Sequence, residues 1–190
     1  MSGDTADRPT VLLADDEQEL LRLYETWLAD TCDVYAAGGG DEALALIDDA
    51  VDVVLLDRRM PDRTGDEVLR EIRDRGHDCR VAMLTAVQPQ ADIIDLPFDD
   101  YLTKPVQQSD LTSLVDVLLR RSEFDERSQE FFALVSKRAA LETSPDIDHE
   151  RSEEYQQLTE QIEAVRSDLD QTLVELSEHD YSAAFIELAD

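Results

Sequence analysis

Short apolar runs alternate with amphipathic stretches from Thr10 to Arg121. "TVLLAD" (10–15), "DVVLLD" (52–57) and "RVAMLTA" (80–86) are nearly continuous in apolar residues over strand length, the pattern of strands buried on both faces. "CDVYAA" (32–37) and "DDYLTK" (99–104) read as two more strands. Between the first two, "DEQELLRLYETWLAD" (16–30) places Leu20, Leu21, Tyr24, Trp27 and Leu28 on one helical stripe, so Trp27 is expected in the core. "GGG" (38–40) turns into a short helix, "DEALALIDD" (41–49), and "GDEVLREIRDRG" (65–76) is a helix that stops at Gly76. A further helix begins near Ser109. The three glycines lack the G-x-G-x-x-G spacing of a phosphate-cradling loop. Strands alternating with helices through short loops predict an α/β fold, a doubly wound five-stranded parallel sheet covered on both faces.

Right-handed crossovers bring the C-terminal ends of parallel strands to one edge, where ligands of such folds bind. On that edge the sequence places Asp15 and Asp16 after the first strand, Asp57 after the third, Thr85 at the end of the fourth and Lys104 after the fifth. Crowded carboxylates repel, and burial pushes some of them to protonate. A divalent cation resolves the conflict, and magnesium suits a few carboxylates plus a phosphate oxygen. Lys104 adds a compact charge for phosphoryl oxygens, and Thr85 a hydrogen-bond donor. Together they describe a phosphoryl site in which one carboxylate is the nucleophile.

Charge changes the picture next. The chain has 17 basic and 46 acidic residues, a net of −29, and its only lysines are Lys104 and Lys137. The acids are interleaved with good apolar periodicity, unlike a disordered acidic tail, so the surface resembles that of proteins from salt-in halophiles, where salt screens self-repulsion. The two cysteines, Cys32 and Cys79, and the three histidines show no metal-ligand spacing, and the cysteines are expected as buried free thiols in a reducing cytoplasm. No apolar stretch approaches a membrane span, and the polar first ten residues are expected to be neither a signal nor a transit peptide.

"ADDE" (14–17), "LLDRRMPDRTG" (55–65), "LTA" (84–86) and "DYLTKP" (100–105) together resemble the receiver domain of two-component response regulators. The resemblance implies a flavodoxin-like sheet of order 2-1-3-4-5. It also implies that Asp57 accepts a phosphoryl group from a sensor histidine kinase. Asp15, Asp16, Asp57 and the backbone carbonyl of Arg59 would then hold Mg2+, Asp15 largely through water. Lys104 would neutralise the phosphoryl oxygens, Thr85 would move to bond one of them, Tyr101 would be the rotameric switch, and Ala86 would leave room for the incoming group. Lys104-Pro105 matches a bond usually cis in receivers. Between the fourth and fifth strands, "VQPQADIIDLPFDD" carries two prolines and no glycine, so a helix there is expected to be short or distorted.

The last third reads as residues 122–190 forming a helical output domain behind a receiver at 10–121 and a flexible stretch at 1–9. "SEFDERSQEFFALVSKRAALE" carries Phe124, Phe131, Leu134, Val135 and Leu141 as an apolar stripe, and "TSPDID" (143–148) is a break. The next helix has Tyr155, Leu158, Ile162, Val165, Leu169 and Leu176 in heptad register, which predicts a helical hairpin or coiled coil. "YSAAFIELAD" suggests a short final helix. The segment resembles the HalX domain that follows receivers in haloarchaeal regulators, with "FALVSKRAALE" the nearest stretch. Two classes of output stay open: regulation of transcription, with the transcription machinery or DNA as partner, or a protein-interaction module that forms homodimers through its helices. Five basic against 19 acidic residues after Arg121 offer no positive stripe for DNA phosphates.

Overall fold

The structure is a computed structural model that describes residues 8–86, 96–142 and 153–187. The chain divides into two compact units between Leu119 and Arg120. The first holds β1 (Thr10–Ala14), α1 (Gln18–Leu28), β2 (Asp33–Ala37), α2 (Gly40–Leu46), β3 (Val53–Leu56), α3 (Gly65–Asp74), β4 (Arg80–Thr85), β5 (Asp100–Thr103) and the start of α4 (Gln108–Glu142). All strand pairs are parallel, in the order β2-β1-β3-β4-β5.

The apolar runs explain the layering. Alternate residues of a strand face opposite sides, so Leu12, Val54, Leu56, Val81 and Met83 pack against Ala43 and Leu44 of α2 and Val68, Leu69 and Ile72 of α3. Val11, Leu13, Val53, Leu55, Ala82 and Leu84 pack on the other face against Leu21, Tyr24 and Leu28 of α1 and Leu111, Val115 and Leu118 of α4. β3 is buried along its whole length, which is why its sequence shows no polar alternation. Trp27 departs from expectation: it is half-buried at the margin of this core, tilted against Tyr24 at 5.5 Å between ring centres.

Strand register sets the functional edge. Ala14 lies opposite Ala37 and Leu56, whereas Thr85, opposite Thr103, stands two residues beyond Met83, the partner of Leu56. The next residues continue the ladder by one bond: Asp57 N–H donates to Ala14 O at 2.8 Å, Lys104 N–H to Thr85 O at 2.8 Å, and Asp15 N–H to Ala37 O at 3.1 Å.

The second unit is the rest of α4 and α5 (Glu153–Glu187), packed as a hairpin around Leu134, Ile162 and Val165, with Phe131, Val135, Leu158 and Leu169 at the rim. The structure corrects two expectations here. The helices expected before and after Arg121 are one uninterrupted α4, and the segment expected as a short final helix continues α5 to Glu187. The cause is the same: neither stretch contains a glycine or proline to stop a helix. The expected distorted helix over 87–98 falls largely on 87–95, outside the described residues, as do the break at 143–148 and the first seven residues.

Candidate functional site

Once Leu56 has completed β3, the chain leaves the core through Asp57 and doubles back to start α3 eight residues later. Gly65 closes this loop. Its N–H donates to Arg58 O at 2.9 Å, and a Cβ there would lie 2.3 Å from Asp57 O, so no side chain fits. The Arg58 guanidinium forks onto the Asp66 carboxylate through Nε and Nη2, both at 3.0 Å at closest approach. Thr64 and Glu67 cap α3 reciprocally: Glu67 N–H donates to the Thr64 hydroxyl and Thr64 N–H to the Glu67 carboxylate. Asp57 is therefore held by a buried strand on one side and a closed loop on the other.

Around it the edge assembles the other candidates. Asp15, Asp57 and Thr85 are buried, whereas Asp16 is exposed. One oxygen from each of Asp15, Asp16 and Asp57 lies within 4.8 Å of the other two. Lys104 Nζ is 2.6 Å from Asp15 Oδ2, 3.6 Å from Asp57 Oδ2 and 3.7 Å from Glu17 Oε1, and its side chain is only 8% exposed. The Thr85 hydroxyl and the Arg59 N–H both donate to the Asp57 carboxylate. The exposed residues Ala86 and Arg59 line the crevice together with Asp16 and Glu17. Lys104-Pro105 is cis.

Electrostatics follow from burial. Loss of solvent pushes the Asp57 carboxyl above its ordinary value, and the Asp15 charge adds to the rise; Lys104, Thr85 and the Arg59 amide oppose it. Burial works to lower the Lys104 pKa, but its hydrogen bond to Asp15 and the charges of Asp15 and Asp57 outweigh that and raise it. The residues are hard oxygen donors around a shared deficit of positive charge, and one ammonium does not balance three carboxylates. That fits a magnesium ion.

Tyr101 stands apart from this crevice. It is half-buried on β5, 5.7 Å from Phe98 between ring centres, against the core on the α2–α3 face. Two residues in the neighbourhood escaped the sequence reading. Glu17 reaches Lys104 from the N-cap position of α1, and its place directly after the aspartate pair was the available signal. The Tyr24 hydroxyl feels Lys104, Asp15, Glu17 and Asp57, although its dominant influence is burial. On the helical stripe it reads only as core.

Comparison with known proteins agrees with this arrangement. Residues 11–116 match the response regulator receiver domain model, and residues 120–185 match the HalX domain model. A Haloferax volcanii protein named as a candidate transcriptional regulator is 50% identical over 86% of the chain, which spans 28% of that protein. Transcriptional regulatory protein CpxR of Klebsiella pneumoniae is 40% identical over 63% of the chain, which spans 53% of it. Among solved structures, the signal receiver domain of a candidate Luxo repressor protein from Vibrio parahaemolyticus superposes with a TM-score of 0.58 at 28% identity, covering 63% of this chain and 95% of that one. The response regulator TrrA from Thermotoga maritima, in complex with Mg2+ and BeF, gives 0.51 at 30% identity over 58% of this chain and 99% of that one.

Proposed function

We propose, for a chain that belongs to the response regulator receiver family and carries a HalX domain behind its receiver, that Asp57 is the phosphoacceptor. A receiver implies a cognate histidine kinase, and the acidic triad is typical of a receiver magnesium site. In the reaction an Asp57 carboxylate oxygen attacks phosphorus, the P–N bond to the kinase histidine breaks, and the imidazole leaves with the bonding pair. An acyl phosphate remains, which water later hydrolyses, returning the Asp57 carboxylate and releasing inorganic phosphate. Asp15, Asp16, Asp57 and the Arg59 carbonyl would hold Mg2+, which when bound offsets charge on the carboxylates and the transferring phosphoryl oxygens.

The protein's own groups do the rest. Lys104 carries a buried positive charge at Asp15 and Asp57, close enough to take a phosphoryl oxygen in exchange for a carboxylate contact. Thr85 already bonds Asp57 and would transfer that bond to the phosphoryl group. Ala86 leaves the approach unobstructed, and Tyr101 is the switch residue, turning with Thr85. The observation that carries this reading is Lys104 Nζ at 2.6 Å and 3.6 Å from two buried carboxylates on one sheet edge. Acetyl phosphate with magnesium should label the wild type with a base-labile phosphoryl group, and Asp57→Asn should not be labelled. Equal labelling of the two proteins would move the acceptor elsewhere.

For the output, the 50% identical relative supports regulation of transcription. A second reading, an adaptor that acts through protein contacts without touching DNA, is favoured by the tail's five basic and 19 acidic residues. Both place the protein in the cytoplasm. Fluorescence anisotropy with promoter DNA in molar salt separates them, since the adaptor shows no binding with or without phosphorylation.

A further inference from the structure

The glycine turn at 38–40 lacks the spacing of a phosphate-cradling loop, yet the structure gives it a tight contact. Asp62, in the loop between β3 and α3, reaches across to it. Its Oδ1 accepts Gly40 N–H at 3.0 Å and its Oδ2 accepts Asp41 N–H at 2.8 Å, and Arg63 N–H donates to the same carboxylate. These bonds hold the Asp62 carboxyl down to about 2, so it is ionised throughout the working range. Arg63 Nε adds an exposed pair to Asp41 Oδ1 at 2.6 Å. The glycines are required for this approach. A Cβ on Gly39 would meet the Asp62 oxygens at 2.8 and 2.9 Å, and one on Gly40 would meet Arg63 Cβ and Val68 Cγ2 at 2.8 Å. Gly39 is extended, with φ of 178°, so space and not backbone freedom demands glycine there.

What the contact controls follows from where the loop begins. Its inner end is Asp57, and three residues before Asp62 stands Arg59, whose N–H bonds the Asp57 carboxylate. A ligand supplied by the backbone cannot be adjusted through its own side chain; its position depends on whatever fixes the loop. The base of the loop is closed by Arg58, Asp66 and Gly65, and its outer end is fastened by Asp62. We infer that Asp62 is a positioning residue for the metal centre: it clamps the β3–α3 loop onto the amides of Gly40 and Asp41 and so fixes the backbone of Arg59 beside Asp57. The inference rests on the magnesium reading above. The competing role is purely structural, because α2 has no side-chain cap of its own and Asp62 supplies one from another loop.

Calorimetric titration of the full chain with magnesium chloride in molar salt separates the two roles, together with melting of the metal-free proteins. Asp62→Ala should weaken magnesium binding about tenfold, the low end of what outer partners of metal ligands contribute. Asp62→Asn retains one acceptor oxygen and should fall between. Gly39→Ala keeps every charge and displaces the carboxylate, so weakening there cannot be ascribed to a lost negative charge, which molar salt screens in any case. Labelling by acetyl phosphate should need more magnesium in these variants and reach the wild-type rate when saturated. Wild-type affinity in both Asp62→Ala and Gly39→Ala, with only the melting temperature lowered, would reduce Asp62 to a helix cap and overturn the inference. If Asp62→Ala fails to fold, Asp62→Asn and Gly39→Ala decide alone. A wild type that takes up no magnesium overturns the metal reading itself, and this inference with it.

Discussion

At Asp57 a single residue is both stabilised in place and destabilised in charge. Its folded pKa lies above the ordinary 3.8, chiefly through burial. The folded state therefore binds more protons than the unfolded state in the window above 3.8, and stability falls as pH rises through the raised value. Asp57→Asn removes that penalty. Without metal the variant should melt above wild type at pH 8, and the gap should close as the pH is lowered towards 4. A gap independent of pH would mean that the charge is not the cause. Lys104 has the opposite role. Lys104→Ala leaves Asp15 and Asp57 buried without their ammonium, a change of about 3 kcal/mol by the usual cost of breaking a buried pair. Magnesium should restore part of the lost melting temperature in this variant, and no restoration would argue that the ion does not share the lysine's carboxylates. These residues were legible in the sequence because each ends an apolar run, and the parallel topology lines up the ends of such runs. Asp62 was not legible: nothing in "MPDRTG" announces that its carboxylate belongs to amides 21 and 22 residues earlier.

Among elements, the β3–α3 loop carries most of the functional constraint. Gly65→Ala forces a Cβ against the backbone of Asp57 at 2.3 Å. Overpacking of this kind costs roughly 1–3 kcal/mol, and here the relaxation must move Asp57 itself, so phosphoryl labelling should fall together with stability. Thr64→Ala, which removes only the cap, should cost about 1 kcal/mol and leave labelling intact. Equal labelling of the two variants would show that the loop absorbs the clash without shifting the acceptor. The boundaries of β1, β3 and β4 could be read to within a residue, since burial on both faces leaves a continuous apolar signature. The unbroken α4 was missed because the apolar stripe fades at "RRSEFDERSQE", and a fading stripe resembles an end. A polar stretch alone does not end a helix that lacks glycine or proline. Among the described residues, Leu134, Ile162 and Val165 form the buried centre of the hairpin, Leu158 and Leu169 of the heptad register pack against it, and Tyr155 and Leu176 are half-buried outside it.

For the whole molecule, charge decides which unit gives way first. Residues 1–121 carry 12 basic and 27 acidic side chains and residues 122–190 carry five and 19, so nearly equal net charges, −15 and −14, fall on chains of very different length. Among the described residues the hairpin has Leu134, Ile162 and Val165 as its buried centre to set against the denser charge, whereas the receiver has two extended core layers. Glu123, Glu126 and Glu130 of α4 line one groove with Asp168 and Glu175 of α5; Arg127 pairs with Glu130 and Arg120 with Glu175, which leaves an excess of carboxylates there. Repulsion between such carboxylates reaches only about 3 Å at 1 M salt but about 10 Å at 0.1 M. On dialysis from molar to low salt, the far-UV helix signal should therefore drop before the fluorescence of Trp27 changes, because the one tryptophan reports on the receiver. Magnesium should hold the Trp27 transition at lower salt without rescuing the early helix loss, since its carboxylates lie in the receiver. Coincident transitions would show that the two units unfold as one. A melting temperature flat across the salt range would show that the net charge of −29 is not what limits stability.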